Sequence, residues 1–144
     1  LQPVAHHSPQ VSPLDPLKFI LAGNATFTVV SGKTGTRFTF RVRQPNAEAP
    51  HFVALLSGPD NENDFQFLGS IFKKQTYAHG AKSRIAPNAP SAVAAKWVCE
   101  RLLAGKPLAN CELHHEGRCG RCGRKLTVPE SILSGFGPEC INLL

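Results

Sequence analysis

Cys119, Cys122 and Cys140, all in the last quarter of the chain, are the residues best suited to chemistry. A C-x2-C pair holds one ion from a single tight turn. Gly120 and Gly123 relieve strain there and leave backbone N–H groups free to point at the sulfurs. Cys140 follows Gly137-Pro138, and proline suits the first turn of a helix. Its sulfur is therefore expected at a helix N-terminus, where the dipole favours a thiolate. A structural zinc ion takes four tetrahedral ligands, and the cysteines supply three. One helical turn beyond Cys140 lies Leu143, which has no donor atom. The fourth ligand is therefore expected upstream. His115 lies four residues before Cys119 and can fold back over the knuckle; His114 and Cys111 are the alternatives, and after them water or a partner. A structural Zn2+ is thus the expected cofactor. A thioredoxin-like pair would need a βαβ pattern around Cys119 and Cys122, and none surrounds them.

A second group of residues points to anions. Arg37, Arg41 and Arg43 alternate with Phe38, Phe40 and Val42, so the cations share one face of a strand and the apolar residues the other. Lys73, Lys74, Lys82 and Arg84 form a second basic stretch with no acid between them, with Tyr77 as a candidate stacking residue. The formal charge is +6, and from Glu112 onward four bases balance four acids, so the excess lies in the middle of the chain. Such a surface suits phosphate contacts and counterion release. The five cysteines are an odd number, three of them in one glycine-punctuated segment. That pattern fits metal binding in a reducing cytoplasm better than a disulfide framework.

The elements that must position these residues read as an α+β fold: a small antiparallel β-meander with one packed helix, then a treble-clef-like zinc module. Residues 1–17 hold Pro3, Pro9, Pro13 and Pro16 and read as a flexible arm that includes His6 and His7. An α+β domain follows over 18–110. Its strands are expected at residues 26–31, 36–44, 51–56 and 65–72, with turn material in Ser57 to Asp64. Residues 73–85 read as an exposed loop or ragged strand pair. Ser91 is placed as the cap of a helix over 92–104, whose Val93, Trp97, Val98 and Leu102 would cover the sheet and which stops at Gly105. Cys99 on it reads as a small apolar residue rather than a reactive thiol. The zinc module is assigned to 111–144, with a short strand over 126–128 and a helical turn from Pro129 to Gly135. No apolar run approaches the roughly 20 residues that span a bilayer, and no secretory signal is expected from the first residues.

The stretch CGRCGRKLTVPESILSGFGPEC resembles a zinc-knuckle domain of unknown function found in many small phage, prophage and plasmid proteins. TGTRFTFRVRQP, HFVALLSGPDNENDF and FLGSIF are similar to the front part of some of them. The resemblance implies a mobile-element origin, cytoplasmic action inside a bacterial host and no established reaction. The expected function is zinc-stabilised binding of DNA or RNA through Arg37, Arg41, Arg43, Lys73, Lys74, Lys82 and Arg84. The alternative is a protein-binding inhibitor or adaptor acting on a host defence complex. A nuclease would need an exchangeable metal-bound water or a positioned base. The acids are scattered and no paired carboxylates stand out, so no enzyme is expected.

Overall fold

A computed structural model describes residues 12–60 and 63–144. His6, His7 and most of the expected arm lie outside the described residues. The first element is α1 (Pro16–Ile20), capped by Asp15, whose carboxylate accepts the Lys18 N–H. Pro16 and Leu17, assigned to the arm, are therefore its first turn. Pro16 is compatible with that position because its missing N–H would have no intrahelical partner.

Five strands follow as a meander: β1 (Asn24–Ser31), β2 (Arg37–Arg43), β3 (His51–Leu56), β4 (Phe65–Phe72) and β5 (Thr76–His79). After α2 (Pro90–Leu103), the chain returns as β6 (Cys111–His115). The sheet is antiparallel in the order β5-β4-β3-β2-β1-β6, so β6 pairs with β1 at the end of the meander. The segment expected to open the metal module thus supplies the sixth strand. β5 lies in the stretch read as an exposed loop or ragged strand pair and is the one strand formed there. It forms because Lys73 and Lys74 both adopt left-handed φ, 53° and 56°, at the tip of a tight β4–β5 turn. Its Tyr77 is buried at the sheet's inner face, which removes it as a stacking residue.

Period-two alternation sets the two faces of the sheet. Phe27, Val29, Phe40, Val42, Val53, Ile71 and Leu113 point inward to one core, which α2 covers with Ala92, Ala95, Val98, Cys99 and Leu102. Val98 and Leu102 cover the sheet as expected, but Val93 and Trp97 do not. Small residues at 91, 92, 95 and 99 form the contact stripe, which lets the helix come close to the sheet. Val93 and Trp97 fall outside that stripe and stay exposed, with the Arg101 guanidinium over the indole. The helix begins at Pro90 after Ala89, so Ser91 is buried rather than capping, while Gly105 ends it with φ 74° as expected. Cys99 is fully enclosed, and burial followed by the Glu100 charge pushes its thiol up to about 12, as suits an inert apolar residue. No helix among the described residues is long and apolar enough to cross a membrane.

Candidate metal centre

The Cys119 to Gly123 turn closes when the Gly123 N–H donates to the Cys119 carbonyl at 2.8 Å and the Cys119 N–H to the Arg124 carbonyl at 2.8 Å. Gly123 has φ 79°, a conformation that glycine adopts without strain. The knuckle is stapled to the rest of the molecule through Gly120. Its carbonyl accepts the Asn24 N–H where β1 begins, and its N–H donates to the Gly135 carbonyl, both at 2.8 Å. Gly135 is the left-handed terminator (φ 83°) of α3 (Pro129–Ser134), as its position after Ser134 predicts. A Cβ at Gly120 or Gly135 would stand 2.7 or 2.6 Å from the Phe19 ring, so the close approach of knuckle, helix end and α1 demands glycine at both. Phe19 stacks at 5.9 Å from Phe136 and 5.6 Å from His115, beneath the knuckle. The expected strand over 126–128 is absent. A single bridge between Arg118 and Lys125 takes its place, and Leu126 N–H donates to the Gly117 carbonyl.

Cys140 opens a short 3-10 helix, Cys140–Leu143, and comes to the knuckle. The ligand atoms of Cys119, Cys122 and Cys140 all lie within 4.8 Å of one another, the only such donor group among the described residues. Three sulfurs at corners of a tetrahedron around zinc would stand roughly 3.8 Å apart, given a bond of about 2.3 Å. The cluster fits a metal ion with little adjustment. Its electrostatics are uneven. Burial works against the Cys119 thiolate, but backbone N–H groups of Gly137, Cys122 and Arg121 overcome it and lower the thiol below its ordinary value. The Arg121 N–H lies 3.4 Å from that sulfur. Burial raises Cys140 instead, reinforced by the Cys122 and Cys119 sulfurs and opposed by the Arg121 guanidinium at 3.6 Å. Cys140 is the first residue of its helix, as its place behind Gly137-Pro138 predicts, though that helix is a single 3-10 turn.

His115 is not brought into the cluster. The pairing of β6 with β1 sets it opposite Phe27, on the inward face, where it is fully buried. Its Nε2–H donates to the Ile132 carbonyl at 2.6 Å and its Nδ1 accepts the Gly117 N–H at 2.9 Å. Both ring nitrogens are thus occupied. Burial first, with His114 adding, holds the ring below its usual pKa against the Ile132 bond, so it stays neutral. Its role is to tie β6 to α3. Neither alternative ligand reaches the sulfurs. His114 lies on the outer face with Nε2 2.8 Å from Glu112, and Cys111 sits at the far end of β6 opposite Ser31.

Arg37, Arg41 and Arg43 do share the outer face of β2, beside Thr28 and Thr39, whose hydroxyls meet at 2.8 Å. The Arg41 guanidinium covers the Phe65 ring at 4.1 Å, and exposed Phe52 packs against Phe67. Lys73 and Lys74 form the β4–β5 turn, and Lys82 and Arg84 stand in the loop beyond β5. A recess of about 430 Å³ is lined by Asn24, Arg41, Arg43, Gln44, Phe52 and, unforeseen, Arg121 from the knuckle. The signal for Arg121 was its place between two candidate ligands; the staple from Gly120 to Asn24 brings it to the edge of the recess, with its guanidinium 3.6 Å from the Cys140 sulfur. Burial, and then the charge of Arg43, push the Arg41 guanidinium down from its ordinary value. Residues 114–142 match the model of a family of unknown function, DUF6011, and no curated protein and no solved structure matches the chain.

Proposed function

We propose that the chain is a zinc-stabilised protein that binds single-stranded DNA or RNA across the outer face of its sheet. The observation that carries this reading is the recess in which Arg41 and Arg43 of β2 meet Arg121 of the knuckle beside exposed Phe52. Arginines positioned along a groove bind successive phosphates, and a flat aromatic ring offers a base a stacking surface whatever its sequence. Strand backbone at the centre of a sheet is a rigid support, and the outer face carries no packed helix among the described elements.

The metal has a structural part in this reading. Three thiolates around Zn2+ hold the knuckle, and the knuckle holds Arg121 against β2. Knuckle, bridge, α3 and the start of the 3-10 helix follow the chain order of a treble-clef-like module. Of the basic residues expected to bind nucleic acid, Arg37 extends the same face, whereas Lys73, Lys74, Lys82 and Arg84 do not line the recess and add long-range attraction at most.

Fluorescence anisotropy with labelled single-stranded and duplex oligonucleotides tests the proposal. Single strands are expected to bind more tightly. With about three phosphates neutralised, affinity falls roughly ten- to thirtyfold between 50 and 200 mM salt. Arg43→Ala with Arg121→Ala lowers that salt slope, and Phe52→Ala weakens binding by about 1–3 kcal/mol. No binding of any strand at low salt refutes the proposal.

A further inference from the structure

We infer that the metal held by Cys119, Cys122 and Cys140 keeps one coordination position for a ligand from outside the chain, a small thiol that also carries a carboxylate. This rests on the metal reading above and is independent of nucleic-acid binding. Among the described residues only these three side chains meet as donors: His115 is held by Ile132 and Gly117, and His114, whose Nε2 meets Glu112 and whose Nδ1 has no partner, lies outside the group. Tetrahedral zinc has four positions, and one that no side chain fills is open to exchange.

The cavity beside two of the three sulfurs has a defined chemistry. A cavity of about 360 Å³ borders Cys122 and Cys140, a size that admits a small organic molecule. Arg121, Arg124 and Lys125 line it against the single acid Glu139, so an anion is favoured. Leu126, Val128 and Leu143 give it apolar walls for a short carbon skeleton. A centre that already has three sulfur donors is soft and prefers a fourth sulfur to a hard oxygen. These features together select a mercaptocarboxylate. Binding is a simple association: the thiol loses its proton to solvent as its sulfur joins the metal, and no electrons are transferred.

The test uses the full chain loaded with Co2+, whose visible absorption bands report the donor set directly. Thioglycolate is the probe and β-mercaptoethanol the uncharged comparison. The bands are expected to shift saturably with thioglycolate, which binds at least about tenfold more tightly than β-mercaptoethanol, the worth of one charge-assisted hydrogen bond. Arg124→Ala with Lys125→Ala should abolish that preference while leaving Co2+ binding and the β-mercaptoethanol response in place. Tetrahedral three-sulfur bands that neither thiol moves overturn the open position. So does a band shift on His6→Ala with His7→Ala or on Glu139→Gln, because the chain then supplies its own fourth ligand. Equal response to both thiols, unchanged by the double variant, overturns the anionic class. Failure to bind Co2+ at all overturns the metal reading itself.

Discussion

Cys119 and His115 lie four residues apart and do different work. Cys119 receives backbone N–H groups at its sulfur, while His115 has both nitrogens committed to backbone partners in the core. Cys119→Ser should therefore reduce bound metal from about one ion per chain to a small fraction. His115→Gln should keep the metal and lower stability instead, because it disturbs the tie between β6 and α3. Metal analysis and thermal melting of the two variants separate these outcomes. His51 makes a residue-scale prediction of another kind. It is buried, with its Nε2–H donating to the Leu21 carbonyl at 2.9 Å. Burial first, and the Lys74 charge as well, hold its pKa below the ordinary value against the raising effect of that bond. The folded ring stays neutral at a pH where the unfolded ring is already protonated. Its contribution is intact above the unfolded value of about 6.5 and is lost as pH falls through that value toward the folded one. The slope reaches up to about 1.4 kcal/mol per pH unit. Urea melts between neutral and mildly acid pH should show it, and His51→Gln, which retains a donor toward Leu21, should flatten it.

Among the elements, the β4–β5 turn is the clearest case of a conformation at odds with its residues. Lys73 and Lys74 both hold positive φ, which side chains disfavour by roughly 1–2 kcal/mol each. Lys73→Asn with Lys74→Gly, the pair that such turns prefer, should raise unfolding stability by roughly 1 kcal/mol in urea titration. The same turn shows why residues 73–85 read as either a loop or a ragged strand pair: two lysines carry no turn signal, and tertiary pairing imposed the geometry. β3 and β4 were legible with their bounds, because β-branched and aromatic residues run between glycine- and proline-rich turns. α2 was legible as a helix and in the inward placing of Val98 and Leu102, but not in that of Val93 and Trp97. Its stripe of serine, alanine and cysteine is less conspicuous than Val93 and Trp97, yet close packing on a sheet rewards small residues.

Taken whole, the molecule joins the metal segment to the sheet rather than appending it. Phe19 and Phe136 pack on each other under the knuckle, within the core that α2 and the strands share. Metal removal by a strong chelator should thus do more than loosen residues 117–144. It should lower the melting temperature of the entire chain and raise amide exchange at Asn24 and Gly120, which share a backbone hydrogen bond. Exchange confined to the last residues, with the melting temperature unmoved, would show the segment to be energetically separate.

The sequence alone determined what depends on local spacing: the three cysteines with their glycines, the stop at Gly135, and the alternation that puts Arg37, Arg41 and Arg43 on one face of a strand. These are short-range consequences of backbone geometry and period. Tertiary structure decided which long-range partners met. By pairing β6 with β1 it turned His115 into the core and away from the sulfurs, and by stapling Gly120 to Asn24 it carried Arg121 to the arginines of β2. Strand order and docking arise from packing summed over many residues distant in the chain, and no local pattern encodes them.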